Sequence, residues 1–350
     1  MRKELALKAF KTTALYDANI HKHFQRTVEK DAIHENLVLG LSKRNDLRYG
    51  ENPHQKAGLY SFGNINDKSL VGANIFQGKE LSYNNFLDAN TAMRCSQEFN
   101  DPCCVIVKHV NPCGVAISDN ITNAYEKAFE TDPESAFGGV IAVNRTVDEN
   151  FATKLISNQF VEVIIAPDYD AEALEVFKQK NNIRVISVKG YKKNRIDFQI
   201  QSIDGGFLVQ EDDDKMITKD DLNCVTEKKP NQDEIADLMF AWTVAKYVKS
   251  NAIVFAKNRQ TIGIGAGQMS RVNSAKIASL KAANANLDTT DAVMASDGLF
   301  PFSDSIEMAS DNGINCIIQP GGSIKDQEVI NEANKKNIAM VLTGMRHFRH

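Results

Sequence analysis

The chain has 350 residues, more than one compact core usually supports, so two sub-domains or one duplicated unit are expected. Apolar residues make up 43% and charged residues 25%, the balance of an ordinary globular protein. A formal charge of −4 supplies no basic field for tracking a phosphate backbone, which argues against nucleic acid as a partner, whereas a small anion needs only a local Arg/Lys cluster.

The opening segment MRKELALKAFKTTALYDANIHKHF is charged and amphipathic, with no apolar h-region of a signal peptide. No stretch has the length and purity of a membrane span. Leu5, Ala6, Ala9, Phe10, Ala14 and Leu15 recur at helical spacing and predict one helix over residues 1–24. A polar connector follows, then LVLGLSKRNDLRYGENPHQKAGLY, a short strand followed by a loop rich in Asn, Gly and Pro. The segment KELSYNNFLDANTAMRCSQEF ends in a helix with Leu87, Ala89, Ala92 and Met93 on one side. CCVIVKHV, bounded by Asp101-Pro102 and Asn111-Pro112, reads as a buried strand, and NPCG as the turn after it.

NITNAYEKAFETD is a helix capped at Asn120 or Thr122 and stopped by Pro133. SAFGGVIAVN is the next strand. Helix 150–158, strand VEVIIAP, helix 170–180 and strand IRVISV continue the alternation. Gly190 to Arg195 is a basic loop, FQIQSIDGGFLVQ a hairpin, and Glu211 to Lys215 an acidic surface turn. A helix at 232–248 leads to strand AIVFAKN, the glycine-dense turn IGIGAGQMSRV and helix 272–285. DAVMASDG, helix 304–311, INCIIQP, helix 324–335 and IAMVLTG complete the pattern. VIVKHVNPCGVA, a helix and SAFGGVIAV share a plan with AIVFAKNRQTIGIGAG, a helix and DAVMASDGLFPF, as a duplicated α/β unit would. The six cysteines, Cys95, Cys103, Cys104, Cys113, Cys224 and Cys316, form no C-x-x-C pair. They predict reduced thiols in a cytosolic protein, with no disulfide framework and no zinc site.

Several residues can carry chemistry. Lys108 and His109 end an apolar strand, where ligands of α/β sheets bind and where a polar pair has no packing purpose. Arg48 can fork onto a phosphate or carboxylate, and Tyr49 can cover a base. Gly263, Gly265, Gly267 and Arg271 form a turn whose amides can approach an anion at a helix start, although neither the spacing nor an acidic partner fits a dinucleotide. Phe300, Pro301 and Phe302 beside Ser303 and Asp304 can grip a flat, amine-bearing ring, with Asp304 equally suited to capping a helix. Ser323 and Asp326 read as a capping box, with Gly321 and Gly322 exposing amides. The tail TGMRHFRH would ordinarily fray, but it follows an apolar strand directly and is expected to tuck in.

Taken together, LRYGENPHQ, KELSYNN, VKHVNPCG, SAFGG, SNAIVFAKN, GIGAGQMSR, SDGLFPFSDS, PGGS and TGMRHFRH resemble, in order, the formyltransferase region of the AICAR transformylase/IMP cyclohydrolase family. The resemblance spans the whole chain. It implies duplicated cytidine-deaminase-like three-layer α/β/α units, here 39–225 and 226–350, after an N-terminal helix and connector at 1–38. It implies transfer of the formyl group of 10-formyltetrahydrofolate, as co-substrate, to the 5-amino group of AICAR, giving FAICAR and tetrahydrofolate. No catalytic metal is implied. It also implies a cytoplasmic homodimer with active sites at the subunit interface and no membrane partner. By resemblance, Arg48, Tyr49, His109, Gly138, Glu162, Asn251, Arg271, Arg346 and Phe348 form the AICAR site. Val272, Leu299, Asp304, Ser323 and Ile324 match folate-side positions. Glu162 stands where some members carry Asp, and Leu299 where some carry an aromatic. MRKELALKAF resembles only the last helix of the family's cyclohydrolase domain. The expectation is therefore that this chain alone does not close FAICAR to IMP, and is a truncated form or works beside a separate cyclohydrolase.

The AICAR amine is a weak nucleophile, so a base must take its proton as it attacks the formyl carbon. His109 suits that role, with Lys108 and Asn251 expected to stabilise the oxyanion and help protonate the leaving folate nitrogen. Two rivals stand beside this reading. A zinc nucleoside deaminase needs H-x-E and P-C-x-x-C, whereas this chain has His109-Val110-Asn111 and Pro112-Cys113-Gly114-Val115. A non-catalytic folate- or nucleotide-binding partner has no use for the Lys108-His109 pair.

Overall fold

The computed structural model describes residues 1–28, 33–62, 67–190 and 198–350. From Tyr191 onward, the basic loop expected at 190–195 lies outside the described residues. The chain opens with α1 (Arg2–Val28), β1 (Leu41–Leu47), β2 (Ala57–Phe62), β3 (Asn74–Gln77) and α2 (Tyr83–Ser96). It continues with β4 (Cys103–Lys108), β5 (Asn111–Ile117), α3 (Ile121–Thr131), α4 (Pro133–Ala136), β6 (Val140–Val143) and α5 (Glu149–Asn158). Next come β7 (Val163–Ala166), α6 (Ala171–Phe177), β8 (Arg184–Ser187), β9 (Phe198–Ile203), β10 (Gly206–Glu211) and β11 (Asn223–Cys224). The remaining elements are α7 (Gln232–Ala245), β12 (Ile253–Lys257), β13 (Gln260–Gly265), α8 (Arg271–Asn284), β14 (Val293–Ser296), α9 (Asp304–Asp311), β15 (Cys316–Gln319), α10 (Asp326–Lys335) and β16 (Ala339–Leu342).

Twelve strands form one mixed sheet in the order β11-β16-β15-β14-β12-β13-β5-β4-β6-β7-β8-β3. Read outward from its middle, the two halves repeat the same succession of pairings. β5–β4 and β13–β12 are antiparallel hairpins, and β4–β6 and β12–β14 are antiparallel. β6–β7–β8 and β14–β15–β16 are parallel, and the edge strands β3 and β11 are antiparallel. Along the sheet the halves meet at β5 and β13, where Gln260 pairs with Ala116 and Thr261 Oγ1 accepts from Val115 N at 2.9 Å.

Period-2 alternation along each strand sends successive side chains to opposite helix layers. Val105, Val107, Val140 and Ala142 pack with Val254 and Ala256 against α2 and α7, in one core shared by both halves. On the opposite face, Cys104, Ile106 and Ile141 meet α3, α5 and α6, while Ile253, Phe255 and Met294 meet α8, α9 and α10. The expected buried side of α2 is largely present, with Ala89, Ala92 and Met93 buried and Leu87 half-buried. Asn120 caps α3, its side chain accepting from Asn123 N, and the helix stops before Pro133.

The structure differs from the sequence expectation at three places. NPCG and IGIG are strands, β5 and β13, not turns. Their glycines are needed because a helix backbone lies against the strand. A Cβ would fall 1.9 Å from Ala128 O at Gly114, 2.2 Å from Ala278 O at Gly263 and 1.7 Å from Ser274 O at Gly265. The actual turns are His109-Val110 and Asn258-Arg259. Third, residues 57–60, expected in the loop, begin β2, whose ladder from Leu41–Phe62 to Leu47–Ala57 pairs it with β1. The residues before β1 pass α1, where a Cβ on Gly40 would lie 3.1 Å from Ala18 Cβ. Three satellites stand outside the main sheet: α1, the β1–β2 hairpin and the β9–β10 hairpin expected at FQIQSIDGGFLVQ.

Candidate active site

The site is built at the edge of the sheet where β4 ends and β12 begins. Lys108 pairs with Asn111 across the hairpin, leaving His109 and Val110 as a two-residue loop. Both have positive φ, 54° and 66°, as a type I′ turn requires. The left-handed region costs an L-residue about 1–2 kcal/mol, and a β-branched residue there is an outlier. The turn is held from α2: Val110 N donates to Asp88 Oδ1 at 2.6 Å. Burial pushes the Asp88 carboxyl above its ordinary value, while the turn amides and the neighbouring His109 and Lys108 pull it down. His109 itself is exposed.

Lys108 Nζ donates to Phe137 O, ahead of β6. Gly138 follows at φ 68°, and a Cβ there would sit 3.8 Å from Lys108 Nζ, so the missing side chain leaves the ammonium accessible. Phe137 and Phe160 flank this glycine with ring centroids 5.9 Å apart, and both are exposed. Glu162 begins the next strand region, its carboxylate accepting from Arg184 Nη1 at 2.7 Å. Lys108, His109, Gly138 and Glu162 thus share one sheet edge in the first half.

The second half contributes a denser cluster. Asn251 Oδ1 accepts from Arg271 Nη2 at 2.8 Å, and its Nδ2 donates to Gln268 O at 2.8 Å and Met269 O at 3.1 Å. Both amide hydrogens of Asn251 are therefore committed, which suits holding Arg271 better than donating to an oxyanion. The buried Arg271 guanidinium also binds Ser296 Oγ at 2.9 Å and the carboxylate of Asp297, which is wholly buried. In the turn at GIGAGQ the Gly267 amide donates to Lys249 O at 2.8 Å, so that amide is not free for an anion, and the Gln268 carbonyl faces Asn251.

The C-terminal tail is tucked in, as its position after β16 suggested. His347 N donates to Asp297 O at 3.1 Å, Arg349 N to Ser250 Oγ at 3.1 Å, and Ser250 N to Arg349 O at 2.8 Å. These stitches turn the alternate residues, Arg346 and Phe348, outward. The Arg346 guanidinium lies 4.6 Å from the Phe348 ring centroid. Phe348 packs on Gly298, where a Cβ would fall 2.6 Å from its Cε1 and 2.5 Å from Arg271 Nη2. Asn251, Arg271, Arg346 and Phe348 are thereby brought together. The two clusters are joined by Asn111, whose Nδ2 donates to His109 O at 3.2 Å and whose Oδ1 accepts from Lys249 N at 2.9 Å.

On the expected folate side, Val272 lies in the first turn of α8 and Leu299 in the loop after β14. Asp304 begins α9 and accepts from Ser305 N at 2.8 Å. Lys325 Nζ stands 4.7 Å from the Phe302 ring centroid and ties that loop to Ser323 and the fully exposed Ile324. Phe300 does not face a ligand: it is wholly buried in the core of the second half, because the loop needs an apolar anchor. The Gly321 and Gly322 amides are also not free, since they donate to Gln319 Oε1 and Asp326 Oδ2 at 2.8 and 2.7 Å. Asp326 accepts from Ser323 N as a capping box would, but Ser323 Oγ accepts from Lys325 N and the helix starts at Asp326. Arg48 and Tyr49 stand in the β1–β2 loop, stacked with 5.4 Å from guanidinium to ring centroid. Among the described residues, no hydrogen bond or ion pair joins them to either cluster.

Sequence reasoning missed Asp88, Asn111, Asp297 and the Phe137/Phe160 pair. Glu211 to Lys215 lie at the surface as expected, all but Asp212 exposed, but two of the aspartates have partners that the sequence did not reveal. Asp212 is nearly buried and accepts from Arg94 at 2.6 Å, and Asp213 lies 2.7 Å from Nδ1 of the buried His347. Burial alone would raise the Asp213 carboxyl, but the contact with His347 outweighs it and lowers it. Cys113, the one cysteine beside the site motif, donates Sγ to Ile106 O at 3.5 Å within the hairpin, and burial pushes its thiol up to about 12. It holds too little thiolate to act as a nucleophile. Among the described residues no three His, Cys, Asp or Glu side chains gather as a metal-binding group.

A family model described as "AICARFT/IMPCHase bienzyme" matches residues 1–281. Among solved structures, one described as "Structural genomics, protein ybgI, unknown function" is 8% identical, with 59% of this chain and 72% of that chain covered and a TM-score of 0.14. A score that low carries no argument about fold or function.

Proposed function

The chain belongs to the AICARFT/IMPCHase bienzyme family, and we propose that it performs the formyl-transfer reaction, moving the formyl group of 10-formyltetrahydrofolate to the 5-amino group of AICAR. The observation that carries this reading is the Asn111 bridge. It links the His109 turn of one half to the segment leading to Asn251 in the other, which supports reading the base, the ammonium and the anion-binding arginine as parts of one site.

In this reading His109 takes the proton of the AICAR amine as its nitrogen attacks the formyl carbon, a contribution of about 10²–10⁴-fold. The carbonyl oxygen becomes an oxyanion facing the Lys108 ammonium, which retains donors beyond the one given to Phe137 O. The tetrahedral intermediate collapses with loss of the folate N10, which takes up a proton and leaves as a neutral amine. Asn251 holds Arg271, and Arg271, Arg346 and Phe348 grip the anionic nucleotide and its ring. The loops of Leu299 and Asp304 and of Ser323 and Ile324, with Val272, receive the pterin and its chain. Gly138 and Glu162 border the amine.

The finer architecture belongs to the same proposal: cytidine-deaminase-like units at 39–225 and 226–350 behind a helix and connector at 1–38. The free thiols support a cytoplasmic setting. A homodimer is supported by large apolar side chains exposed on the satellites, among them Phe10, Tyr16, Phe207 and Leu208. The test is direct. The chain is mixed with AICAR and 10-formyltetrahydrofolate, and tetrahydrofolate formation is followed by absorbance. Turnover that requires AICAR is expected; its absence in folded protein refutes the proposal.

A further inference from the structure

We propose that Asp88 is a positioning residue for His109: its carboxylate, on α2, takes the amides of the His109–Val110 turn and fixes the direction in which the imidazole leaves the sheet. The inference rests on the reading of His109 as the base.

Three observations support it. Val110 N donates to Asp88 Oδ1 at 2.6 Å, and the neighbouring His109 amide also favours the charged carboxylate. Both turn residues are at positive φ, a conformation that a histidine and a valine leave unless neighbouring groups hold it. The second half contains the same device: Asp237, on α7, accepts from Asn258 N at 2.8 Å and Arg259 N at 2.6 Å. Asp88 precedes His109, and Asp237 precedes Asn258, by 21 residues. Two equal clamps therefore exist, and one of them holds an imidazole. The half-buried Asp88 carboxylate also lies beside His109 and Lys108.

The twin clamp provides an internal control. Asp88→Asn keeps the shape but sets an amide N–H against a turn N–H, and Asp237→Asn makes the same change in the other half. Asp88→Asn is expected to lower kcat by about ten- to a hundredfold, since a small misplacement of a catalytic group has that effect. KM for AICAR should stay within about twofold, and the acid limb of the kcat profile should shift. Asp237→Asn is expected to lower the melting temperature comparably and leave kcat within about twofold. In ¹³C-histidine-labelled protein, with His109→Ala assigning the signal, the His109 ring resonance should move in Asp88→Asn and stay in Asp237→Asn. Equal kcat losses in the two variants, or an unmoved His109 resonance in Asp88→Asn, overturn the proposal. If the wild-type chain makes no tetrahydrofolate but the resonance moves as expected, the functional reading falls and the positioning role stands. Should Asp88→Asn not fold, Asp88→Glu, which keeps the charge one methylene further out, is read by the same resonance, and an unmoved signal again overturns the proposal.

Discussion

The His109–Val110 and Asn258–Arg259 turns share a backbone and differ in what their surroundings leave open. Each closes a hairpin, each is clamped by an aspartate from a preceding helix, and each follows a lysine. Both lysines reach a carbonyl ahead of the next strand, Phe137 O and Thr290 O. The following residue is at positive φ in both, Gly138 at 68° and Asp291 at 61°. In the second half several of these groups find partners within the chain. Asp291 accepts from Asn315, Lys257 stands 3.8 Å from Asp288, and Arg259 pairs with Asp101 at 3.0 Å. Thr261 and Thr131 close the seam beside that turn. In the first half Gly138 has no side chain to fill the space, and Phe137, Phe160 and His109 remain exposed. The fold supplies the same left-handed turn twice, and the side chains around each decide how many of its neighbours are tied down.

Substitutions at matched positions break or sharpen this comparison. The largest effect is expected at the turn residues. His109→Ala should lower turnover by at least about 10²-fold while AICAR binding, measured by calorimetry, is retained. Asn258→Ala should leave turnover within about twofold, and near-normal turnover in His109→Ala would refute the base assignment. Next come the glycines of the second strands, where the halves should respond alike. Gly114→Ala and Gly263→Ala each drive a Cβ into a helix carbonyl and should each cost about 1–3 kcal/mol in urea unfolding. A large difference between them would mean that one helix yields more readily.

A smaller, pH-dependent effect is expected where only one half has a buried tail contact. Asp213 has a lowered pKa in the folded chain, so its contribution is present above the unfolded value of about 3.9. That contribution is lost as pH falls through the lower folded value. Asp213→Asn should therefore be less stable than wild type at neutral pH, and the gap should close in acid. KM for AICAR should rise in the variant, because the tail carrying Arg346 and Phe348 is loosened; a pH-independent gap would remove the linkage. The smallest effect is expected at the tie of the closed turn. Arg259→Ala breaks a largely exposed ion pair, worth about 0.2–1 kcal/mol, and should leave turnover unchanged.

Local signals carried much of the architecture. The apolar alternation of VIVKHV and AIVFAK predicts the central strands, Asn120 and Pro133 bracket α3, and helix 304–311 matches α9 residue for residue. The repeated strand–helix–strand plan was legible as well, and the sheet order matches it half for half. The turns were not legible. His-Val and Asn-Arg lack the glycine that usually marks a two-residue loop, and the glycines a few residues on drew the turn to the wrong place. Those glycines answer to α3 and α8, which lie far along the chain, so no local pattern could reveal their purpose. The partners of the acidic run at 211–215 were hidden for a similar reason: Arg94 and His347, which pair with Asp212 and Asp213, come from elements distant in sequence.

By itself, the sequence determined the element types, the two-fold plan, the family and the residue types available for chemistry, because periodicity, capping and motif order are local properties. Only the tertiary structure decided which of two equivalent turns stays open, that Asn251 is committed to Arg271, and that Asp88 and Asn111 hold His109 in place. Each of these depends on which distant group reaches a polar atom first. A buried donor or acceptor is satisfied by whatever the fold brings beside it, and that neighbour is not written next to it in the chain.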